Sequence, residues 1–214
     1  MSRIVVIGGT GYAGSAIVAE AAARGHQVTA LSRTAPDAPV PDVTYVHGDA
    51  TEEATLSSVM DGADVVADAL APRGPGGGDW RAAHRTIARV ADAAGVRLYI
   101  VGGASSLRPA PGADRFVADL SGVPPELHDE IRSGAAFVIE DLPATPETLD
   151  WVFVSPALRF GARMPGERLG GYRLGDDVAV RPDGGAISAA DYALGFVDLI
   201  EKGDLHRAHV NLGQ

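Results

Sequence analysis

The sequence predicts an α/β fold of the Rossmann type, a doubly wound parallel sheet with strand order 3-2-1-4-5-6. Short apolar runs alternate with helical patterns along the chain, and a glycine-rich turn joins the first run to the first helix. Strands separated by helices indicate βαβ units, and right-handed crossovers favour this strand order. The chain has 214 residues, so we expect one domain over 1–214, with residues 156–190 forming a small cap on the substrate side.

The first half of the chain is predicted to alternate four strands with two helices. An alanine-rich stretch predicts a helix over 11–24, and Gly25 is a typical helix stop. Thr51 is predicted to cap a short helix after the third strand, and the three prolines of 36–41 predict a loop. Continuous apolar runs of the buried type predict strands over 3–8, 27–31, 43–47 and 64–69.

The second half is predicted to continue the alternation. Asp79 is expected to cap a helix that ends at Gly95. The loops 71–78 and 103–124 both follow strands, so we expect them at the carboxyl edge of the sheet, where open α/β folds bind ligands and where loops serve as lids. The other predicted elements are strands over 96–101 and 151–155, helices over 126–141 and 188–202, hairpin-like pieces over 172–174 and 178–180, and an edge strand over 210–212.

Charge and composition exclude several classes of protein. Acidic residues number 28 against 18 for Lys plus Arg, a net charge of −10, which argues against nucleic acid and against a membrane surface as partners. Cysteine is absent, so disulfides, thiol catalysis and thiolate metal sites are excluded. No apolar run is long enough to span a membrane, and the first strand begins at Arg3, which leaves no room for a signal peptide. We therefore expect a cytoplasmic protein.

The glycine-rich turn predicts a nucleotide site. It satisfies two overlapping spacings, Gly9-x-Gly11-x-x-Gly14 and Gly8-x-x-Gly11-x-x-Gly14. Such glycines allow a tight turn, the approach of the backbone to a pyrophosphate and close packing of helix on strand. The helix N-terminus then offers free N–H groups to the phosphates. The alternative is a tight turn without a ligand.

The end of the second strand predicts NADP(H) rather than NAD(H). An acidic residue there would bind the ribose 2′-hydroxyl of NAD(H), and residues 29–36 contain none. Arg33 stands there instead, between Ser32 and Thr34. A guanidinium with neighbouring hydroxyls suits a 2′-phosphate. The alternative for Arg33 is a solvated surface side chain.

Six short motifs follow one another along the chain: IGGTGYAG at 7–14, HGDAT at 47–51, VGGASS at 101–106, VSPA at 154–157, GERLGGY at 166–172 and ISAADYA at 187–193. With these motifs the chain resembles the atypical short-chain dehydrogenases/reductases, and more narrowly the NAD(P)H-binding, NmrA-like and NADH-flavin reductase proteins. The resemblance covers nearly the whole chain. The combination of motifs is specific to the family and not to one substrate.

The resemblance implies further contacts with the cofactor. Asp49 and Ala50 would lie by the adenine, 69–71 by the ribose and pyrophosphate, 102–105 beside the nicotinamide ribose, and 156–158 over the nicotinamide amide. For Asp49 the alternative is a carboxylate that only flanks a helix. The predicted cofactor-binding residues are Gly8, Thr10, Gly11, Tyr12, Ala13, Gly14, Ser32, Arg33, Thr34, Asp49, Ala50, Ala69, Leu70, Ala71, Gly102, Gly103, Pro156, Ala157 and Leu158.

The chain lacks the Tyr-x-x-x-Lys pair of many short-chain dehydrogenases, in which the lysine lowers the tyrosine pKa. Its only lysine is Lys202, and no tyrosine has a lysine four positions on. Ketone reduction and sugar epimerisation through that pair are therefore disfavoured. A flavin, a quinone or a similar conjugated small molecule stabilises its own negative charge on reduction. Such an acceptor needs only positioning and the exclusion of water.

Three residues are candidate catalytic groups. Ser105 and Ser106 follow the fifth strand, where a hydroxyl would reach an acceptor beside the nicotinamide, and the alternative for both is loop capping. His128 begins a helix and has a pKa range suited to proton donation, and its alternative is an exposed histidine. Related sequences often have a tyrosine beside it, where this chain has Leu127. The candidate substrate residues are Arg159, Phe160 and Arg168.

The remaining histidines predict no metal site. We expect His84 to be structural, and we expect His206 and His209 to lie at the surface, because the pair lacks a nearby carboxylate other than Asp204.

Two hypotheses on function come from different classes. The first is an NADPH-dependent reductase acting on a flavin, quinone or similar acceptor. The second is a regulatory protein that binds NADP(H) without turnover, as NmrA-like proteins would imply. A specialised biosynthetic reductase or isomerase is a further alternative, and either a monomer or a homodimer is compatible with the sequence.

Overall fold

The computed structural model describes residues 1–71, 79–181 and 185–214, so the predicted loop residues 72–78 and the cap residues 182–184 lie outside the description. Within these ranges the strands form one eight-stranded sheet. The strands are β1 (Arg3–Ile7), β2 (Gln27–Ser32), β3 (Thr44–His47), β4 (Val65–Asp68), β5 (Arg97–Val101), β6 (Trp151–Pro156), β7 (Arg173–Gly175) and β8 (Ala208–Gly213).

The sheet has the order β3-β2-β1-β4-β5-β6-β8-β7, which confirms the predicted order of the first six strands. The strand predicted over 210–212 forms as part of β8, but its predicted edge position is wrong, because β8 lies between β6, to which it is parallel, and the antiparallel β7. The two predicted hairpin pieces also do not pair with each other. The first forms β7, whereas Val178 makes an isolated bridge with Arg108.

Five α-helices cover the two faces of the described sheet. They are α1 (Tyr12–Ala23), α2 (Glu53–Met60), α3 (Trp80–Ala94), α4 (His128–Ala136) and α5 (Ala189–Lys202). Successive strand residues face opposite sides: Val6 belongs to the core with α1 and α5, while Val5 and Ile7 belong to the core with α2 and α3. In the described ranges no helix is both long and apolar enough to cross a membrane.

Two of the predicted helix caps are confirmed and one is wrong. The Asp79 side chain accepts a hydrogen bond from the Ala82 N–H at 2.9 Å, and Ser188 caps α5 in the same way. Thr51 does not cap α2, which begins after Glu52. Its hydroxyl donates instead to the Asp49 carboxylate at 2.8 Å.

The helix predicted over 126–141 divides into three pieces. A 3₁₀ turn at Pro125–Leu127 leads into α4, and a π-helical turn at Phe137–Asp141 follows it. A π-turn inserts extra backbone into the helix. It ends this helix against α3, with Phe137 buried in the core.

Candidate functional site

The glycine-rich turn leaves no room for a side chain at Gly8 or at Gly14. A Cβ on Gly14 would lie 2.2 Å from the Gly8 carbonyl oxygen, and a Cβ on Gly8 would lie 2.6 Å from that of Ala69. Gly8 also has a φ of +75°, a conformation that favours glycine. The turn therefore packs the start of α1 closely against the ends of β1 and β4. This is the arrangement in which open backbone N–H groups meet a phosphate.

A cavity of about 340 Å³ lies beside this turn, at the carboxyl ends of β1 to β4. The predicted cofactor residues on its wall are Gly8, Thr10, Gly11, Ser32, Arg33, Thr34, Asp49, Ala50, Ala69, Leu70 and Ala71. The structure thus brings together residues that are more than sixty positions apart in the sequence. A second cavity, of about 600 Å³, lies at the opposite, amino-terminal edge of the sheet. None of the described residues on its wall belongs to a glycine-rich turn or to a helix N-terminus of the nucleotide-binding kind.

Arg33 lies on the wall of the nucleotide-side cavity, beside Asp49. Its Nη1 is 3.8 Å from the Asp49 Oδ2, and each side chain is 36% exposed. The N–H and the hydroxyl of Thr51 donate to Asp49 and, with the Arg33 charge, lower the pKa of its carboxyl. The Thr34 hydroxyl lies 3.3 Å from that of Thr10. The guanidinium is therefore held loosely at the rim, with most of its donors open to a ligand.

A buried pair forms the floor behind the cavity wall. The Asp68 carboxylate lies 2.5 Å from the Nδ1 of His84, and neither side chain is exposed. Asp68 also accepts from the Leu70 N–H at 3.1 Å, and the Trp80 indole donates to the Leu70 carbonyl at 3.2 Å. The Trp80 ring packs against His84 with centroids 4.0 Å apart. Because Leu70 and Trp80 line the cavity, this pair fixes the shape of its wall.

Sequence reasoning missed several residues of this wall. Leu31, Gly48, Thr51, Asp79, Trp80 and Ala83 also line the cavity. Trp80 could have been predicted, since it stands in the first turn of a helix at the ligand-binding edge of the sheet. His84 is structural, as predicted, but its buried partner Asp68 was part of a predicted strand and had no assigned role.

The other predicted cofactor residues are not among those on the wall of this cavity. Tyr12, Ala13 and Gly14 form the first turn of α1. Gly102 and Gly103 follow β5, and 156–158 end β6 and follow it. These two strands are neighbours in parallel register. Their carboxyl ends therefore lie side by side, as the nicotinamide half of a dinucleotide requires.

A cluster of two serines and one histidine lies between these strand ends. The Ser155 hydroxyl is 2.9 Å from the His209 Nε2, and the Ser106 hydroxyl is 3.3 Å from the same atom. Both hydroxyls donate to the Gly103 carbonyl. The predicted surface position of His209 is wrong, because its ring is partly buried against Phe153. His206 is exposed, as predicted.

Burial lowers the pKa of His209 to about 4, and the charge of Arg115 contributes to the shift. An unfolded histidine titrates near 6.5. The unfolded chain therefore binds more protons than the folded chain between about pH 6.5 and pH 4, so stability falls as the pH falls through this window.

We expect His209→Gln to remove this loss. The wild type should lose roughly 3 kcal/mol more stability than the variant between neutral pH and pH 4, measured by urea unfolding at each pH. Parallel curves for the two proteins would mean that the pKa of His209 is the same in the folded and the unfolded chain.

The candidate catalytic and substrate residues occupy different surroundings. Ser106 is buried in the histidine cluster, whereas Ser105 is partly exposed in the 3₁₀ turn Ala104–Ser106. The His128 Nε2 is 2.9 Å from the Val123 carbonyl oxygen, so this ring is engaged in its own loop. Phe160 packs edge-on against Tyr12 with centroids 5.2 Å apart. The side chains of Arg159 and Arg168 are exposed.

All five tyrosine hydroxyls are hydrogen-bonded within the fold. Burial raises the pKa of Tyr12, raises that of Tyr99 to about 12 and raises that of Tyr192 well above its usual range. Burial and the Asp198 carboxylate raise the pKa of Tyr172 to about 12. The partners are the carbonyls of Pro165, Leu199 and Val154 for Tyr12, Tyr99 and Tyr192, the Asp198 carboxylate for Tyr172, and the Val40 N–H for Tyr45.

These features fit a dinucleotide. The turn has no space for side chains where the backbone must approach a pyrophosphate, and a guanidinium lies on the cavity wall. A family model described as NAD(P)H-binding matches residues 8–202. The chain belongs to the NAD(P)H-binding family. This membership confirms the predicted nicotinamide cofactor at the level of NAD(P)H, and it agrees with the prediction of an NAD(P)H-dependent reductase.

One relative and two solved structures match nearly the whole chain. The uncharacterized protein YwnB of Bacillus subtilis (strain 168) is 34% identical over 211 residues, 98% of this chain and 95% of YwnB. A "putative NADH-flavin reductase" from Streptococcus pneumoniae is 29% identical with a TM-score of 0.83, over 100% of both chains. A "putative epimerase" from Bacteroides thetaiotaomicron is 32% identical with a TM-score of 0.83, over 99% of this chain and 96% of the other. The resemblance to atypical short-chain dehydrogenases/reductases is confirmed.

Proposed function

We propose that this protein is an NADPH-dependent oxidoreductase that reduces a conjugated small-molecule acceptor such as a flavin or a quinone. The observation that carries the proposal is the contrast between the two halves of the site. A cavity suited to a dinucleotide is built at β1 to β4, yet all five tyrosine hydroxyls are bonded into the fold. The similar protein from Streptococcus pneumoniae bears the name of a flavin reductase, which supports this choice of acceptor.

The residues of the cavity bind and orient the cofactor. The N–H groups of the glycine-rich turn hold the pyrophosphate, and Arg33 with Ser32 and Thr34 holds the 2′-phosphate. The segments 102–105 and 156–158 place the nicotinamide against the acceptor. When bound, NADPH supplies a hydride, and water supplies the proton that completes the reduction.

The class of acceptor follows from the lack of a tyrosine whose pKa is lowered by a lysine. Lys202 is exposed at the end of α5, so no lysine lowers a tyrosine pKa in this chain. A ketone acquires its negative charge on one oxygen and needs such a donor in place. A conjugated ring system spreads the charge and takes its proton from solvent. Ser105 is partly exposed, and its hydroxyl is the group best placed to hydrogen-bond such an acceptor.

NADPH oxidation with purified protein and free FMN tests the proposal. Absorbance of the reduced nicotinamide is followed with FMN or a water-soluble quinone as acceptor, against a reaction without protein. Oxidation proportional to enzyme, faster with NADPH than with NADH, is the expected result. Tight NADPH binding without oxidation of either acceptor would overturn it and favour the regulatory hypothesis.

Arg33→Ala tests the preference for NADPH. Because charged hydrogen bonds are worth about 1.5–3 kcal/mol, the Kd for NADPH should rise roughly ten- to a hundredfold, while that for NADH changes little. Cofactor fluorescence titrations measure both constants. Arg132→Ala on α4 removes the same charge outside the cavity and serves as the control. Equal losses for both cofactors would contradict the assignment.

A further inference from the structure

Four arginine side chains of the described chain have no hydrogen-bond, ion-pair or ring partner, and all four lie in one short segment. They are the exposed residues Arg159, Arg163, Arg168 and Arg173. Every other arginine that the structure describes has a partner within the fold. The sequence has 28 carboxylates for 18 basic side chains, so arginines without a carboxylate are not the expected outcome for this chain.

We name residues 156–175, which lead from β6 to the end of β7, the cap segment. Between its first and last free arginine it contains a single acidic residue, Glu167. It is therefore locally cationic in a protein with a net charge of −10. Such a local potential attracts anions from solution and raises their association rate.

The backbone of the cap segment is fixed although its guanidinium groups are free. The Asp191 carboxylate, which is buried at the start of α5, accepts from the N–H groups of Leu169 and Gly170 at 2.8 and 2.9 Å. The Tyr12 hydroxyl donates to the Pro165 carbonyl at 2.9 Å. The backbone that bears the cations is thus held in place while the cations stay unpaired, which lowers the cost of ordering this segment around a ligand.

The cap segment borders the place where an acceptor must lie. It leaves the sheet at Pro156, beside the strand ends that receive the nicotinamide, and reaches the glycine-rich turn at Tyr12. Its free arginines therefore belong to a segment on the acceptor's side of the cofactor cleft, whereas Arg33 lies on the wall of the nucleotide-side cavity.

We propose that the acceptor bears an oxyanion, a phosphate or a carboxylate, and that the free arginines of the cap segment bind it. The guanidinium group recognises both oxyanions through parallel hydrogen bonds. This inference rests on the proposed function, whose site it completes by naming the charge of the acceptor. It adds no chemical step to hydride transfer.

FMN and riboflavin provide a matched pair of probes, because they differ by one phosphate. The Kd of each is measured by quenching of flavin fluorescence with NADP⁺ bound, at low and at high ionic strength. FMN should bind about tenfold more tightly at low ionic strength, a difference of about 1.4 kcal/mol, and the ratio should fall as salt screens the exposed charges. Equal affinities for the two flavins would overturn the inference.

A pair of double variants locates the effect. Arg159→Gln/Arg168→Gln should lower the preference for FMN about threefold or more and leave riboflavin unchanged, the size expected for exposed ion pairs. Arg89→Gln/Arg132→Gln removes the same charge elsewhere, from side chains that are more than half exposed, and should leave the preference intact. Equal effects of the two variants would overturn the inference, as would weaker NADP⁺ binding in the cap variant with FMN binding unchanged.

This binding assay needs no turnover, so the two proposals fail separately. Preferential FMN binding without NADPH oxidation would overturn the proposed reductase and keep the anion site. NADPH oxidation at equal rates with FMN and with riboflavin would keep the proposed reductase and overturn the anion site.

Discussion

Asp68→Ala should lower the free energy of unfolding by about 3–5 kcal/mol, the cost of breaking a buried pair by removing one partner. Neither Asp68 nor His84 is exposed, and the two side chains lie 2.5 Å apart. Removal of the carboxylate leaves the His84 ring and the Leu70 N–H without their bonding partner in an apolar core. Urea unfolding followed by tryptophan fluorescence measures the loss, since Trp80 packs on His84.

Asp64→Ala is the control, because that carboxylate pairs with Arg3 at the surface and nearly half of its side chain is exposed. We expect this variant to change stability little. The Asp68 variant should also bind NADPH more weakly at a temperature where it is fully folded, since the Leu70 N–H lies at the cavity wall. If Asp68→Ala lowers the free energy of unfolding by less than about 1 kcal/mol, Asp68 and His84 do not stabilise each other.

Gly14→Ala should weaken NADPH binding by more than about tenfold, or about 1.4 kcal/mol. The new Cβ would lie 2.2 Å from the Gly8 carbonyl oxygen, so the glycine-rich turn must move away from α1. Overpacking of this kind costs about 1–3 kcal/mol of stability, which a protein of ordinary stability survives. The displaced turn would no longer present its N–H groups to the pyrophosphate.

Fluorescence titration with NADPH and thermal unfolding of the same samples separate the two effects. Gly122→Ala is the matched control, because a Cβ at that position meets nothing within 4 Å. A folded Gly14→Ala protein with unchanged NADPH affinity would show that the turn does not hold the pyrophosphate.

The order of the first six strands could be predicted because each strand is a continuous apolar run and each crossover is a helix. The position of β8 between β6 and β7 could not be predicted. Its short apolar run carries no sign that a further strand, β7, covers its outer side. Thr51 is an example of a local limit on prediction. Its hydroxyl could either cap α2 or bond within the turn at Asp49, and in the structure it donates to the Asp49 carboxylate.

The glycine-rich turn and Arg33 could be predicted because their function depends on residues that are adjacent in the sequence. The cluster of Ser106, Ser155 and His209 depends instead on the register between β6 and β8, where Phe153 pairs with His209. That register is not visible in the sequence. The π-turn at Phe137–Asp141 is hidden for a similar reason, since its residues follow the same apolar pattern as an ordinary helix.

The two halves of the site become available at different times during synthesis. Every described residue on the wall of the nucleotide-side cavity lies between positions 8 and 83. The cap segment, in contrast, is joined to the sheet through β8, which ends at Gly213. On the ribosome, the residues of the cofactor half therefore emerge early, whereas the acceptor half must wait until β8 has emerged. Since domains generally fold as units during translation, we expect NADPH to bind only after the whole sheet has formed.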